Sequence, residues 1–236
     1  MKSRFRNSAV LVLLSLAALA VAAMDGTYSL ARIAKVGDEA KYEFEAELDF
    51  NGEKISISGK NTDKVTKVDE DGSISYESSQ KDVVVKAGDQ TIPMDDEATV
   101  KIVTGPNRAV KSYDDMGDED ASSLRLAMLG TVLKPPMDVK VGDKWNGAMK
   151  SSLADTYPIE SNFEAVAVET IGKWETVKVK VTSKETAGET PATCEGFVWV
   201  ITADGTSAKE ELHIKNAPLA LSPVPIDMKI KIKRTE

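Results

Sequence analysis

The residues best suited to acid–base or nucleophilic chemistry are few, because the chain has one histidine, His213, and one cysteine, Cys194. His213 lies between Leu212 and Ile214, and if these two face the core, strand alternation places the imidazole on the opposite face. A Ser-His-Asp or Cys-His centre needs a buried, oriented imidazole, and a His/Cys zinc site would have too few ligands. We therefore predict a solvent-side His213, a buried apolar Cys194, no catalytic residue, no metal and no cofactor.

Three acidic clusters could bind cations: Asp69–Asp71, Asp95–Glu97 and Asp114–Asp120. Calcium prefers several oxygen ligands on a tight loop, and none of the clusters has the ligand order of an EF-hand. We interpret all three as solvated charge, the first as hairpin-turn chemistry and the third as a loop and helix cap. A divalent-cation site at Asp114–Asp120 remains an alternative.

Composition restricts the possible partners. The chain of 236 residues carries 30 basic and 38 acidic side chains, a formal net charge of -8. Nucleic-acid binding needs clustered basic side chains, and an acidic chain is repelled by an anionic membrane surface. With 42% hydrophobic residues the chain can bury a core, so we expect a folded protein that does not bind nucleic acid.

Residues 1–23 have the composition of a secretory signal peptide. Three basic residues precede the apolar run Ala9–Leu19, and small residues follow as far as Ala22 and Ala23. The run is short for a membrane anchor, which must cross about 30 Å of hydrocarbon. We predict cleavage after Ala22 or Ala23, export to the periplasm or outside the cell, and a mature chain, 24–236, that forms one β-rich domain without a membrane span.

Apolar and polar residues alternate along the mature chain, as they do in antiparallel strands. In Lys41–Phe50 the apolar side chains occupy every second position, and Asn51-Gly52 supplies a hairpin turn. Turn signals recur about every 8–12 residues, which predicts a mainly β fold built of antiparallel meanders, as a half-barrel or a sandwich. The lysines of the last strand indicate an exposed sheet edge.

Two segments, Phe163–Val168 and Phe197–Ile201, are apolar at successive positions, as in strands covered on both faces. Trp199 is therefore predicted to be buried against the helix or an opposing sheet. One helix is predicted at about 118–133, capped by Asp118 or Asp120 and ended by Pro135-Pro136. Gly130 favours an earlier end. The helix would join two halves, about 24–117 and 135–236.

The segment Lys35–Asp38 recurs as Lys140–Asp143, in each case before an aromatic-bearing strand. The hairpins that begin near Val65 and Val166 also match. Val-x-Gly-Asp is common turn chemistry, so two readings stay open: two similar turns, or a duplicated half on each side of the helix.

The stretch Leu133–Trp145, in which a helix end with two prolines leads into Val-Gly-Asp-Lys-Trp, resembles a pattern in uncharacterised exported bacterial β-rich proteins. The later pattern Trp199, Asp204-Gly205 and Lys209-Glu210-Glu211 is similar to their closing hairpin. More distantly it resembles that of periplasmic lipoprotein carriers. This resemblance implies a half-barrel with a helix-lined apolar cavity, and it supplies no catalytic residues.

The leading hypothesis is a non-catalytic extracytoplasmic binding or interaction protein that holds an apolar ligand, such as a lipid, between sheet and helix. One alternative is a cell-envelope hydrolase that uses paired carboxylates, since acidic residues are abundant. A second alternative is a small outer-membrane β-barrel, because alternation alone also fits that class.

Overall fold

The computed structural model describes residues 26–50, 52–94, 98–115, 118–219 and 226–236. The predicted signal peptide and the cluster Asp95–Glu97 lie outside these ranges. The helix is α1 (Ala121–Gly130), and the strands are β1 (Glu39–Phe50), β2 (Glu53–Val68), β3 (Ile74–Ala87), β4 (Gln90–Met94), β5 (Ala98–Thr104), β6 (Val110–Asp115), β7 (Asp118–Glu119), β8 (Lys144–Met149), β9 (Ile159–Ile171), β10 (Trp174–Glu185), β11 (Thr193–Ile201), β12 (Ser207–Ala217) and β13 (Ile226–Arg234).

All thirteen strands belong to one antiparallel sheet. Its order is β7-β6-β5-β3-β2-β1-β13-β12-β11-β10-β9-β8, and β4 pairs with β3. Helix α1 contacts β6 near one end of this order and β9, β10 and β11 near the other. The sheet must therefore curve around the helix, which confirms the predicted mainly β half-barrel with one helix. Of the two predicted forms, the half-barrel is the one observed, since the described strands make one continuous curved sheet.

The helix is shorter than the predicted span of 118–133. Asp120 is its N-cap and accepts a hydrogen bond from the backbone N–H of Ser122 at 2.9 Å, while Asp118 and Glu119 pair with β6 as β7. The helix ends at Gly130, and Thr131 takes an extended conformation with φ -72° and ψ 126°. Within the described residues, no helix has the length and apolar character needed to cross a membrane.

The last strand, β13, is not an edge strand, so that prediction is wrong. It lies between β1 and β12 in the middle of the sheet. Its outward-facing lysines stand opposite three glutamates of β1, in the pairs Lys229–Glu47, Lys231–Glu45 and Lys233–Glu43. Opposite charges across neighbouring strands stabilise a sheet. The alternating lysines therefore indicate which face of β13 is exposed to solvent. They do not indicate whether the strand lies at the edge of the sheet.

Strands β9 and β11, which contain the apolar segments Phe163–Val168 and Phe197–Ile201, lie beside the helix together with β10. Leu124, Met128 and Leu129 of α1 are buried in the same core as Ile159 and Val179. In β11 both faces are covered, since Val198 to Ile201 are all buried. The outer face of β9 is only half-buried around Val166.

Trp199 is buried, with 3% of its surface exposed, but neither the helix nor a second sheet covers it. Its indole Nε1 donates to Glu169 Oε2 at 2.7 Å, and the ammonium groups of Lys178 and Lys209 lie 4.7 and 4.4 Å from the ring centroid. Long lysine side chains can cover apolar surface and bind an aromatic face. Trp199 therefore lies on the convex face of the sheet, opposite the core-facing Val198.

The segments Lys35–Asp38 and Lys140–Asp143 form the same turn. In each, the first backbone N–H donates to the final aspartate carboxylate, at 2.7 and 2.8 Å, and the glycine adopts φ 91° or 97°. The glycine N–H then donates to the carbonyl of Val65 in β2 at 2.8 Å or of Ala165 in β9 at 2.7 Å. Each turn therefore precedes the first strand of a meander, an arrangement that favours the duplicated-half hypothesis.

Candidate functional site

The concave face of the sheet contains a cavity of about 790 Å³. This volume is within the range of about 300–1,000 Å³ that is usual for small-molecule sites. The cavity is bounded by residues of β1, β2, β3, β5, β6, β11, β12, β13 and α1. Its apolar lining consists chiefly of Phe44, Ala46, Ile102, Val110, Leu126, Val132, Val198, Leu212, Ile214, Met228, Ile230 and Ile232.

The apolar wall follows from the strand register. Ile230 of β13 pairs with Ala46 of β1 on one side and with Leu212 of β12 on the other. Residues directly opposite in neighbouring strands share a face, so alternation along each strand aligns these side chains into rows. The same alternation places the glutamates and lysines of β1 and β13 on the convex face.

Helix α1 forms one side of the cavity. Leu126, Ala127 and Gly130 line the cavity, while Leu124 and Met128 are fully buried in the core. This division follows the helical periodicity, which separates the two sets onto different faces. A Cβ at Gly130 would stand 3.0 Å from Leu212 Cδ1, so a glycine permits the close approach of helix and sheet at this point.

A buried ion pair holds the helix against β10. Arg125 Nε donates to Glu185 Oε1 at 2.6 Å and Arg125 Nη2 to Oε2 at 2.8 Å. The Glu185 side chain is 0% exposed and also accepts from the backbone N–H of Ala192 at 2.8 Å. The guanidinium lies over the ring of Tyr157, 4.7 Å from its centroid. The bidentate geometry fixes the helix position more tightly than apolar contact alone.

Polar and charged side chains also line the cavity, among them Tyr42, Asp63, Tyr76, Arg108 and Glu210. We refer to these five as the polar cluster. Burial raises the pKa of both tyrosines and of both carboxyls, and it lowers the pKa of Arg108 to about 10. At neutral pH the tyrosines therefore remain protonated and Arg108 remains charged.

The two carboxyl groups of the polar cluster have hydrogen-bond donors. Asp63 Oδ1 accepts from Ser78 Oγ and from Asn61 Nδ2, both at 2.7 Å. Glu210 accepts from Ser207, which lowers its pKa, although burial has the larger and opposite effect. The negative charge of Asp63 raises the pKa of Glu210 further, so the two carboxyls influence each other within one cavity.

The positive charge of Arg108 has fewer close partners than the two carboxyl groups have. Its Nη1 donates to the carbonyl of Leu30 at 3.3 Å, and no carboxylate of the described residues lies within 4.0 Å of its guanidinium. Arg234 differs, because its Nη1 lies 3.1 Å from Asp204 Oδ2. Arg32, also in the cavity lining, donates to the carbonyls of Ile33 at 2.7 Å and Asp204 at 3.2 Å.

The residues singled out for chemistry in the sequence lie away from the cavity centre. His213 is on the convex face, with 32% of its side chain exposed and Nδ1 3.9 Å from Glu195 Oε1, which confirms its solvent-side position. Cys194 is 1% exposed, as predicted, and burial raises the pKa of its thiol to about 12.

The acidic clusters show no metal geometry where they can be described. Asp71 accepts from the backbone N–H of Ser73 at 2.8 Å, which lowers its pKa and confirms a turn role. In Asp114–Asp120, residues 116–117 lie outside the described ranges, and Asp120 caps the helix. Across the described part of the chain, no group of three or more His, Cys, Asp or Glu side chains could hold a metal ion.

The polar cluster was not identified as a site from the sequence. A signal existed for Glu210, which shares strand parity with Leu212 and Ile214, and for Asp63, which shares it with Val65. A charged residue at an inward position is costly unless it has a partner or a function. Arg108 had no such signal, because it lies in the connection between β5 and β6.

The described part of the chain is a curved antiparallel sheet with one helix on its concave face. The cavity between them has a mainly apolar wall and contains the polar cluster. Comparison of the chain with models of known protein families finds no match. Comparison with curated proteins finds none either.

Proposed function

We propose that this protein is a non-catalytic binding protein that holds a ligand with an apolar chain between the sheet and the helix. The observation that carries the proposal is the cavity of about 790 Å³, whose wall is made of aligned apolar rows from β1, β12 and β13. Apolar surface facing such a space gains free energy when a ligand removes it from water, by roughly 25 cal/mol per Å².

Two sequence features support an extracytoplasmic role. Residues 1–23 have the charge and apolar pattern of a signal peptide, and the stretch Leu133–Trp145 resembles exported β-rich proteins. The more distant resemblance to periplasmic lipoprotein carriers implies a helix-lined apolar cavity. N-terminal sequencing of exported protein tests this localisation, with a start after Ala22 or Ala23 expected and a start at Met1 contradicting it.

A pair of variants on adjacent residues tests the binding site. Ala46 lines the cavity, whereas Glu47 is exposed on the opposite face of β1. Ala46→Trp should fill the cavity, and Glu47→Trp adds the same ring outside it. We expect the neutral fluorescent probe N-phenyl-1-naphthylamine to bind saturably to the wild type and to Glu47→Trp, and at least about tenfold more weakly to Ala46→Trp.

Thermal melts of both variants distinguish blocked binding from unfolding, and Ala46→Leu provides a smaller obstruction if Ala46→Trp does not fold. Equal probe binding by the Ala46 and Glu47 variants, or an absence of saturable binding by the wild type, would overturn the proposal.

A second candidate function is hydrolysis by paired carboxylates. The observation in its favour is that Asp63 and Glu210 line one cavity and both have a raised pKa, as a general acid requires. Glu210→Gln would then abolish turnover of a hydrolysable ester or glycoside without preventing its binding. Unchanged turnover, or no turnover by the wild type, would exclude this candidate.

A further inference from the structure

We propose that the ligand is an amphiphile with an anionic headgroup, a carboxylate or a phosphate, whose charge is bound by Arg108 with the help of Arg32. This inference rests on the proposed binding function and adds the chemistry of the headgroup. It follows from the unequal pairing of the charged groups that line the cavity.

The first step is the state of Arg108. A guanidinium has five N–H donors, and Arg108 donates one hydrogen bond, to the Leu30 carbonyl at 3.3 Å. Its accessible surface lines the cavity, where Glu210 attracts its charge from beyond 4.0 Å, and a buried charge without a close partner is costly. A bound anion would supply the missing acceptors, since arginine binds carboxylate and phosphate through two parallel hydrogen bonds.

The second step is the presence of Arg32 nearby. Its guanidinium donates to backbone carbonyls alone, and its positive charge is one cause of the lowered pKa of Arg108. Two like charges therefore face one cavity, and neither lies within 4.0 Å of a carboxylate of the described residues, although Asp63 and Glu210 act on them from a greater distance. The third arginine of the lining, Arg234, is compensated by Asp204 at 3.1 Å.

The third step concerns the acidic groups that face the same space. Asp63 is held by Asn61 and Ser78, and Glu210 is bound by Ser207. Glu210 would repel an incoming anion, so its neutral replacement should strengthen anion binding. The hydroxyls of the two tyrosines in the polar cluster stay protonated at neutral pH and are available as donors to a headgroup.

The fourth step is the position of the apolar wall relative to this site. Glu210 pairs with Ile232 of β13, which pairs in turn with Phe44 of β1. The next inward row contains Leu212, Ile230 and Ala46. A headgroup at the polar cluster would therefore continue directly into apolar rows, which is the arrangement an amphiphile needs.

Three ligands with the same C16 chain test the proposal by displacing N-phenyl-1-naphthylamine: palmitate, hexadecyl phosphate and 1-hexadecanol. The proteins compared are the wild type, Arg108→Gln and Lys229→Gln, the last being an exposed cation on the opposite face of β13. We expect the wild type and Lys229→Gln to bind at least one anionic ligand on the order of tenfold or more tightly than the alcohol. Arg108→Gln should lose that preference while still binding the alcohol.

The palmitate and hexadecyl phosphate arms distinguish the two headgroups. Glu210→Gln should bind the preferred anion more tightly and leave the alcohol unchanged. If Arg108→Gln does not fold, Arg108→Lys, which keeps a charge but has fewer donors, and Arg32→Gln provide the same comparison.

The outcomes separate this inference from the function on which it rests. Equal binding of alcohol and anions by the wild type, or an unchanged anion preference in a folded Arg108→Gln protein, would overturn the headgroup site while leaving the apolar cavity as a binding site. Failure of all three ligands and of the probe to bind would overturn the proposed function itself.

Discussion

The two sides of the half-barrel contain similar alternating strands but bury them differently. Beneath the helix, Ile159 and Val179 are fully buried. On the side formed by β1, β2 and β13, Ala46, Ile57 and Ile230 are only half-buried. The difference comes from the cover, because α1 contacts β9, β10 and β11 but makes no comparable contact with β1, β2 or β13.

The helix does not cover β1, β2 and β13 because it is short and because an ion pair fixes its position. Its ten residues extend about 15 Å at 1.5 Å per residue, and the pair of Arg125 and Glu185 fixes it beside β10. The open side thereby retains apolar side chains that are directed toward a cavity. We infer that one side of the sheet stabilises the fold and the other provides the binding surface.

The largest expected effect is on the anchor of the helix. Arg125→Met leaves the fully buried Glu185 without its cation, and breaking a buried pair in this way typically costs about 3–5 kcal/mol. Urea unfolding followed by circular dichroism measures the loss. The double variant Arg125→Met/Glu185→Leu should recover part of it, because Glu185 also accepts from the Ala192 N–H, whereas a wild-type stability of Arg125→Met would show that the pair does not hold the helix.

A pair of isoleucines compares the two sides directly. Ile159→Ala removes a fully buried side chain from the packed side and should lower the free energy of unfolding by about 2–5 kcal/mol. Ile230→Ala should cost clearly less in the ligand-free protein, because its side chain already borders a cavity. The same urea melts apply, and equal losses for the two variants would contradict the division into a packed and an open side.

Glu210→Gln should stabilise the ligand-free protein at neutral pH. Burial raises the pKa of Glu210 above its ordinary value of 4.5, so the folded protein binds this proton more strongly than the unfolded chain does. The free energy of unfolding therefore falls as the pH rises from about 4.5 through the higher pKa of the folded state. The variant should melt higher than the wild type at pH 7, with a smaller difference at pH 4. A variant that is less stable at pH 7 would show that ionised Glu210 is compensated in the fold.

The smallest effect is expected on the convex face. His213→Ala should change the free energy of unfolding by less than about 0.5 kcal/mol, because the side chain is partly exposed and Glu195, with which it forms an ion pair only when protonated, lies 3.9 Å away. Probe binding should also be unchanged. A loss of several kcal/mol, or loss of ligand binding, would show that the convex face takes part in the site.

The local elements could be predicted from the sequence where a short-range pattern determines them. The alternation of Lys41–Phe50 identified β1, and Asp120 and Gly130 account for the two ends of the helix. The neighbours of a strand are not encoded in its own alternation, so β13 was wrongly placed at an edge. Trp199 was correctly predicted to be buried, but its lysine cover depends on side chains from β10 and β12.

The candidate site was less predictable for the same reason. The apolar wall requires the register of β1 with β13, which joins residues about 180 positions apart, such as Ala46 and Ile230. The lack of a close carboxylate beside Arg108 is a property of its surroundings, and no spacing in the sequence reveals that a loop arginine has no ion-pair partner within 4.0 Å.

Native mass spectrometry of protein purified from its own host, with Ala46→Trp and Glu47→Trp prepared in parallel, tests the central claim most directly. The account predicts that the wild type and Glu47→Trp retain a bound amphiphile, which organic extraction releases, and that Ala46→Trp carries little or none. The same adduct on all three proteins, or its absence from all three together with an absence of probe binding, would contradict the claim that the open side of the sheet is a ligand site.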